Sequence, residues 1–285
     1  MSPSCFRTAR SLWPAASWLL VVLWAWPAGA EGWLDLIRSD VRSAPPQSEP
    51  ERSPRRRHHG DHDEPSFYGE FYGDFLMFAF TSPFWGPHAA LDDDFDNQLL
   101  FPRFPYDNTL GYMDVAPWAS RPRRWSVRLR ADYGDDFGGL QRVGGHLLLS
   151  TAARWGLDTE MTHLWERLPG GERDELWLGD FNVCYRFAQS ERMQWRTGIG
   201  FNWLDDPAAT DYGFNFTYGV DCFPKQPWVL SATLDWGTLG RAEQFRFRSS
   251  AGVLIRGAET YIGYEYLDID RTQINSLLAG VRVWF

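Results

Sequence analysis

At 285 residues, 44% of them hydrophobic and 16% aromatic, the chain has material for one sizeable domain and an appendage, and its sixteen tryptophans exceed what a soluble core needs. A formal charge of -9 argues against nucleic acid as a partner. Mean hydropathy is -0.39, and past residue 30 no run approaches the ~20 apolar residues of a membrane helix, so any crossing of a bilayer must be by strands.

At the amino terminus, Arg7 and Arg10 precede an apolar run from Leu12 to Trp26, interrupted by Pro14, and Ala28, Gly29 and Ala30 precede Glu31. This predicts a secretory signal peptide over 1–30, cleaved after Ala30. A retained anchor is the alternative, but the run is short for a span and ends in small residues. Cleavage removes two arginines and no acids, which takes the charge to -11. No Cys follows the site, which argues against a lipoprotein. Cys5 leaves with the signal. Cys184 and Cys222 fall on opposite face parities of strands that are not neighbours, so free thiols are expected.

Residues 31–123 read as an irregular, partly disordered N-terminal region. A short amphipathic helix is expected at Trp33 to Val41, followed by a segment rich in Pro, Ser, Arg and His that should be mostly disordered to about residue 66. Arg55, Arg56, Arg57, His58, His59, Asp61, His62, Asp63 and Glu64 crowd together there. A weak divalent-metal or anionic-lipid patch is one reading. A solvated linker is the preferred one, because the spacing fits no rigid site. From Phe67 to Trp85 aromatics are interrupted by glycines and acids. The stretch is expected against the periplasmic rim, ahead of a plug in the lumen or added strands. Asp92 to Asp96 and the Pro-rich stretch to Pro122 read as linker.

From Arg124 onward, repeated alternation separated by turn residues predicts ten strands: 124–134, 140–152, 154–166, 174–188, 193–204, 211–223, 227–237, 243–256, 259–268 and 273–285. Trp125, Val127, Leu129, Ala131 and Tyr133 share one face of the first, and Ser126, Arg128, Arg130 and Asp132 the other. The fifth and sixth repeat this, with Met193 to Trp203 and Tyr212 to Val220 on the apolar parity and a row of Gly, Asn, Arg and Thr opposite. Polar residues inside and apolar outside is the reverse of a soluble protein. Tryptophans bracket strands: Trp155 and Trp165 the third, Trp195 and Trp203 the fifth, Trp228 and Trp236 the seventh. At about 3.3 Å per residue and a tilt near 40°, each pair spans roughly 20–25 Å, the height of a lipid-facing band. Tight connections near Ala153, Ser190, Pro224 to Gln226 and Gly257 to Ala258, against longer acidic ones at the other end, would orient the barrel with periplasmic turns and outer loops.

The last strand carries Leu277, Ala279, Val281, Val283 and Phe285 on one face and Ser276, Gly280 and Arg282 on the other. Period-two alternation ending in an aromatic carboxyl terminus resembles the terminal signal of bacterial outer-membrane β-barrel proteins. That resemblance implies an all-β fold, a transmembrane antiparallel up-and-down barrel, and recognition of the last strand by the barrel-assembly machinery. The expected location is the cell outer membrane. Outer-membrane lipid is the expected partner, with lipopolysaccharide bridged to acidic residues by Ca²⁺ or Mg²⁺ as one reading of those acids and solvated turns as the other.

Inward positions collect Arg128, Arg130, Arg142, Arg186, Arg196, Arg246, Arg248, Arg256 and Arg282, facing Asp132, Asp158, Glu160, Asp180, Asp235 and Glu265. Ten strands leave an interior that such side chains fill, so a packed lumen is expected over an arginine-lined pore. The acidic rim (Asp132, Asp135, Asp136, Asp205, Asp206, Asp211, Asp268 and Asp270) is similar to the active-site rim of omptin-type proteases, which pair a His with an Asp beside a second carboxylate couple. His163 lies on the lipid parity, which does not support that cluster. Lipid A deacylases of barrel form use a His and a Ser on the outer surface, whereas His146 and Ser150 share inward parity. The expectation is a non-catalytic barrel with a structural or surface-interaction role, with no catalytic, cofactor or metal residues assigned and no cofactor. A small-solute channel is the alternative, and an outer-rim hydrolase follows it.

Overall fold

A computed structural model of the chain describes residues 32–42, 81, 83–91, 100–113, 123–168 and 170–285. The expected signal peptide, the Arg/His/Asp cluster at 55–64 and most of the aromatic stretch lie outside them. The elements are α1 (Trp33–Arg42), β1 (Trp125–Asp135), β2 (Leu140–Thr151), β3 (Trp155–Arg167), β4 (Arg173–Gln189), β5 (Met193–Asp205), β6 (Thr210–Cys222), β7 (Trp228–Leu239), β8 (Ala242–Ile255), β9 (Ala258–Ile269) and β10 (Thr272–Trp284). The ten strands fall within about two residues of their predicted bounds.

Each strand pairs antiparallel with the next, and β1 pairs with β10, so the sheet is a closed barrel with no free edge. Closure follows a register from Arg128 opposite Trp284 to Asp135 opposite Leu277. Alternation within the strands decides which face turns inward. Ser126, Arg128, Arg130 and Asp132 are buried, whereas Trp125, Leu129 and Tyr133 are exposed. The final strand behaves the same way, with Leu277, Val281, Val283 and Phe285 outside and Ser276 and Arg282 inside. The tryptophans at the ends of β3, β5 and β7 all lie on the outward row.

Inward glycines make room for large guanidinium groups. A Cβ on Gly219 would lie 2.8 Å from the Arg196 Cζ, and one on Gly144 would lie 2.7 Å from the Arg142 Nη2. The register shifts once, at a bulge between Arg186 and Ala188 near the end of β4.

Two expectations about the connections need correction. Arg256 is not inside the barrel. It sits with Gly257 in a two-residue turn, both at positive φ (50° and 85°), and its side chain is exposed. Connection length does not orient the barrel either. At the end expected to carry long loops, 240–241 and 270–271 are as short as turns can be, while 223–227 at the other end is among the longest. Cys184 and Cys222 are both free thiols.

Candidate functional site

The lumen is filled by its own wall. Asp221, fully buried on β6, accepts from Arg128 on β1 (2.7 Å) and Arg196 on β5 (2.8 Å). Arg196 reaches on to Asp158 (3.3 Å), which also holds the His146 Nε2 at 2.7 Å. Higher in the barrel, Glu160 gathers Arg130 at 2.5 Å and Arg248 at 2.6 Å, with Arg142 at 3.5 Å and Arg246 at 3.4 Å. Glu265 joins Arg142 and Arg248, Asp132 takes Arg130, Arg142 and the Tyr261 hydroxyl, and Arg246 reaches Asp180. Near the strand termini, Arg282 pairs with Glu259 at 2.7 Å. Between His146, Asp158, Glu160, Asp180 and Asp235 a cavity of about 10 Å³ remains, room for no more than one water.

Burial inside a narrow barrel makes this pairing obligatory. Each charge has left water at a cost of several kcal/mol, and only a partner at hydrogen-bond distance offsets it. Most of the predicted inward residues are therefore brought together, but Asp132 belongs to the lumen and not to the rim, 5% exposed and held by two arginines. Sequence reading missed Asp221, Glu259 and Glu166. All three lie near strand ends on the inward parity, so extending the alternation by one or two residues would have found them.

Both mouths are closed by the N-terminal chain. At the mouth formed by 136–139, 168, 170–172, 206–209, 240–241 and 270–271, α1 sets Leu34, Ile37 and Val41 against Leu140, Leu164, Leu176, Leu204, Leu239 and Ile269. Spacing of three and four residues puts those side chains on one helical face. Its first N–H groups, those of Trp33 and Leu34, donate to the Glu166 carboxylate at 2.9 Å each. Arg38 donates to Asp174 (2.6 Å) and Asp206 (2.8 Å), Arg42 to Asp211 (2.8 Å), and Asp40 accepts from Thr272 (2.8 Å) and Arg271. The expected amphipathic helix is thus present and seated, inside a stretch read as mostly disordered. Four carboxylates at this mouth, those of Glu166, Asp174, Asp206 and Asp211, form its socket.

At the other mouth, Phe101, Tyr112 and Met113 pack on Phe223, Val229, Leu254 and Trp284, with Tyr112 and Trp284 edge to face at 4.7 Å. Arg186 stands over the Phe101 ring at 5.0 Å, and the Tyr106 hydroxyl donates to the Trp228 carbonyl. Burial pushes the Tyr112 hydroxyl up to about 12. Residues read as linker are therefore a cap. Of the aromatic stretch, Pro83 and Phe84 are described, lying on the outer wall: Pro83 accepts from the Tyr218 hydroxyl and Phe84 packs on Phe187. Residues 83–90 are helical.

Burial alone would push the Asp206 carboxyl up, but hydrogen bonds from Arg42 and from the Ala208 and Ala209 N–H groups outweigh it and hold it well below the usual range. A depressed folded value contributes stability that is present above the unfolded value of about 3.9 and is lost as pH falls below it. Protection of the α1 amides against hydrogen exchange is expected to persist from neutral to alkaline pH and to fall selectively below about pH 4. Glu166→Ala should weaken the same protection by about 1–2 kcal/mol at neutral pH, through loss of the carboxylate at the helix N-terminus, with the barrel amides unchanged. Equal protection in the variant would show that this carboxylate does not anchor α1.

The residues weighed for catalysis are placed as follows. His163 is on the outer wall, stacked between Trp165 and Trp177, with Glu175 at 3.3 Å as its carboxylate partner. Asp135 and Asp136 instead accept from backbone N–H groups of their own turn, those of Phe137 and Gly138. His146 is sealed in the lumen. Among the described residues no cluster of three or more His, Cys, Asp or Glu is arranged for a metal ion.

This register, closed, antiparallel and up-and-down with a polar interior and an apolar wall, is the architecture of the bacterial outer-membrane β-barrels. No family model and no curated protein matches the chain. Among solved structures it is similar to the NanC porin (11% identity, 55% of this chain and 98% of that one, TM-score 0.36). It is also similar to the β-domain of the Bordetella autotransporter BrkA (13%, 56% and 98%, TM-score 0.35) and to Ail, the attachment invasion locus protein of Yersinia pestis (9%, 56% and 96%, TM-score 0.26).

Proposed function

We propose that the chain is a small barrel of the bacterial outer membrane, exported by the amino-terminal signal and inserted through its carboxyl-terminal strand, with a structural or surface-interaction role and neither conduction nor catalysis. One observation carries the non-conducting part: eight arginines and eight carboxylates of the wall fill the lumen, each with under a tenth of its surface exposed. A solute would have to displace ion pairs that cannot be rehydrated in so narrow a space. The membrane part is supported by the outward rows, where Leu, Val, Ile and Phe fill the middle of the strands and Trp marks their ends. An outer-rim hydrolase has less support, since the two barrel histidines are occupied in a stack and in the lumen.

Purified barrel in planar bilayers is expected to give no discrete current steps. A chain lacking residues 32–42 should be equally silent, because side chains of the strands, not α1, fill the channel. Regular steps from either protein would overturn the reading in favour of a small-solute channel. Mature protein that stays monomeric in buffer without detergent would overturn the membrane assignment.

A further inference from the structure

Charge is divided between the two mouths. The mouth at which β1 begins is built from the cap 100–113, the approach 123–124 and the connections 152–154, 190–192, 223–227 and 256–257. A cation stands in every one of these segments, and their acids are Asp107 and Glu191 alone, although the chain as a whole carries a charge of -9. The α1 mouth is the reverse. Asp136, Glu172, Asp206 and Asp270 stand in four of its five connections, and Arg38, Arg42 and Arg271 are each paired with a carboxylate. At the basic mouth Arg103, Arg124, Arg192, Lys225 and Arg256 are exposed, and among the described residues none of the five is paired with a carboxylate.

The outward row fixes their height. Arg124 directly precedes Trp125, Arg192 and Lys225 stand three residues before Trp195 and Trp228, and Arg256 follows Ile255. Those four apolar side chains lie on the outward row at the ends of their strands. In a bilayer they mark the level where hydrocarbon gives way to headgroups, so the cations beyond them lie at the depth of lipid phosphate. Resting on the membrane reading above, we infer that the basic mouth is a docking ring for the phosphates of anionic phospholipid. Charge, not connection length, then sets which leaflet this mouth faces. A soluble acidic polypeptide fits less well: the cations are spread around the rim at one height, and the cavity at this mouth, beside Asn108, Leu110 and Glu191, is lined by none of them.

The test uses the full chain folded into vesicles of phosphatidylcholine and phosphatidylglycerol, in a Cys222→Ser background that leaves only the buried Cys184. A fluorophore at Ile255→Cys, 66% exposed, reports the basic mouth, and one at Gln273→Cys, exposed at the start of β10, reports the acidic mouth. In vesicles of equal composition, one lipid at a time is brominated near its headgroup, and quenching reads its local concentration. One cation near an anionic surface is worth about fivefold in affinity, so phosphatidylglycerol should be enriched about fivefold or more at Ile255→Cys. At Gln273→Cys no enrichment is expected. Salt at about 1 M, where charges are screened within about 3 Å, should abolish the preference. Arg124→Gln, Arg192→Gln and Lys225→Gln combined should abolish it as well, with heat-modifiable migration retained.

Equal quenching by the two lipids at Ile255→Cys, a preference that survives high salt, or the same preference at both mouths overturns the inference and leaves the membrane reading standing. A preference that emerges only after Asp92, Asp93, Asp94 and Asp96 are changed to Asn assigns the ring to this chain's own acids and overturns it too. If neither lipid quenches either label, the wall is not in a bilayer, and the membrane reading fails with the inference.

Discussion

Glu160→Gln is expected to destabilise the barrel by about 3–5 kcal/mol, the cost of leaving buried charge without its partner. Four guanidinium groups converge on this carboxylate, from Arg130, Arg142, Arg246 and Arg248 on three different strands. A neutral amide of the same shape keeps the packing but removes the counter-charge, and it turns an NH₂ toward cations. Reversible urea unfolding of detergent- or vesicle-folded protein reads the loss as a lower midpoint. Glu243→Gln, on an exposed position of β8, should stay within about 0.5 kcal/mol of the parent. A loss under about 1 kcal/mol at Glu160 would mean that water reaches the lumen and screens its charges, contrary to the sealed interior.

Ile199→Arg is the second large effect, and it tests the outside of the wall. Ile199 lies midway along β5 and is 61% exposed. In water, a guanidinium at so open a position would change stability little. In hydrocarbon it should cost about 2–4 kcal/mol, falling to about 0–1 kcal/mol for Trp125→Arg at the strand end, where the girdle meets the interface. Folding into lipid vesicles, followed by heat-modifiable migration and urea titration, measures both. A penalty that does not depend on depth would remove the bilayer from the account. The pair of experiments is complementary: the first substitution acts on the inward parity and the second on the outward one, so a barrel with the opposite polarity would reverse their ranking.

Much of the wall was legible beforehand. Period-two alternation is a local property, since successive side chains of a strand must point to opposite faces, so residues such as Arg128 and Leu129 announce their sides without knowledge of any neighbour. Strand bounds followed for the same reason. Alternation failed where backbone geometry interrupts it: at Arg256, where a turn with positive φ ends the strand early, and at the β4 bulge, where Phe187 to Gln189 leave the regular pattern. Asp132 fits by sequence both the inward row and the acidic rim, and only its contacts with Arg130 and Arg142 assign it to the lumen.

From the sequence alone come the strand count, the inverted polarity and the presence of an amphipathic helix at Trp33, all set by spacing along the chain. Tertiary structure decided what no spacing encodes: that the helix enters one mouth and 100–113 the other, that Asp206 and Asp211 serve as its socket, and that Glu160 sits among four arginines. Those outcomes depend on which strands become neighbours across a closed cylinder and on how much space their side chains leave. Pairings over 90 residues apart, such as Arg128 with Asp221, exist only once the sheet has closed.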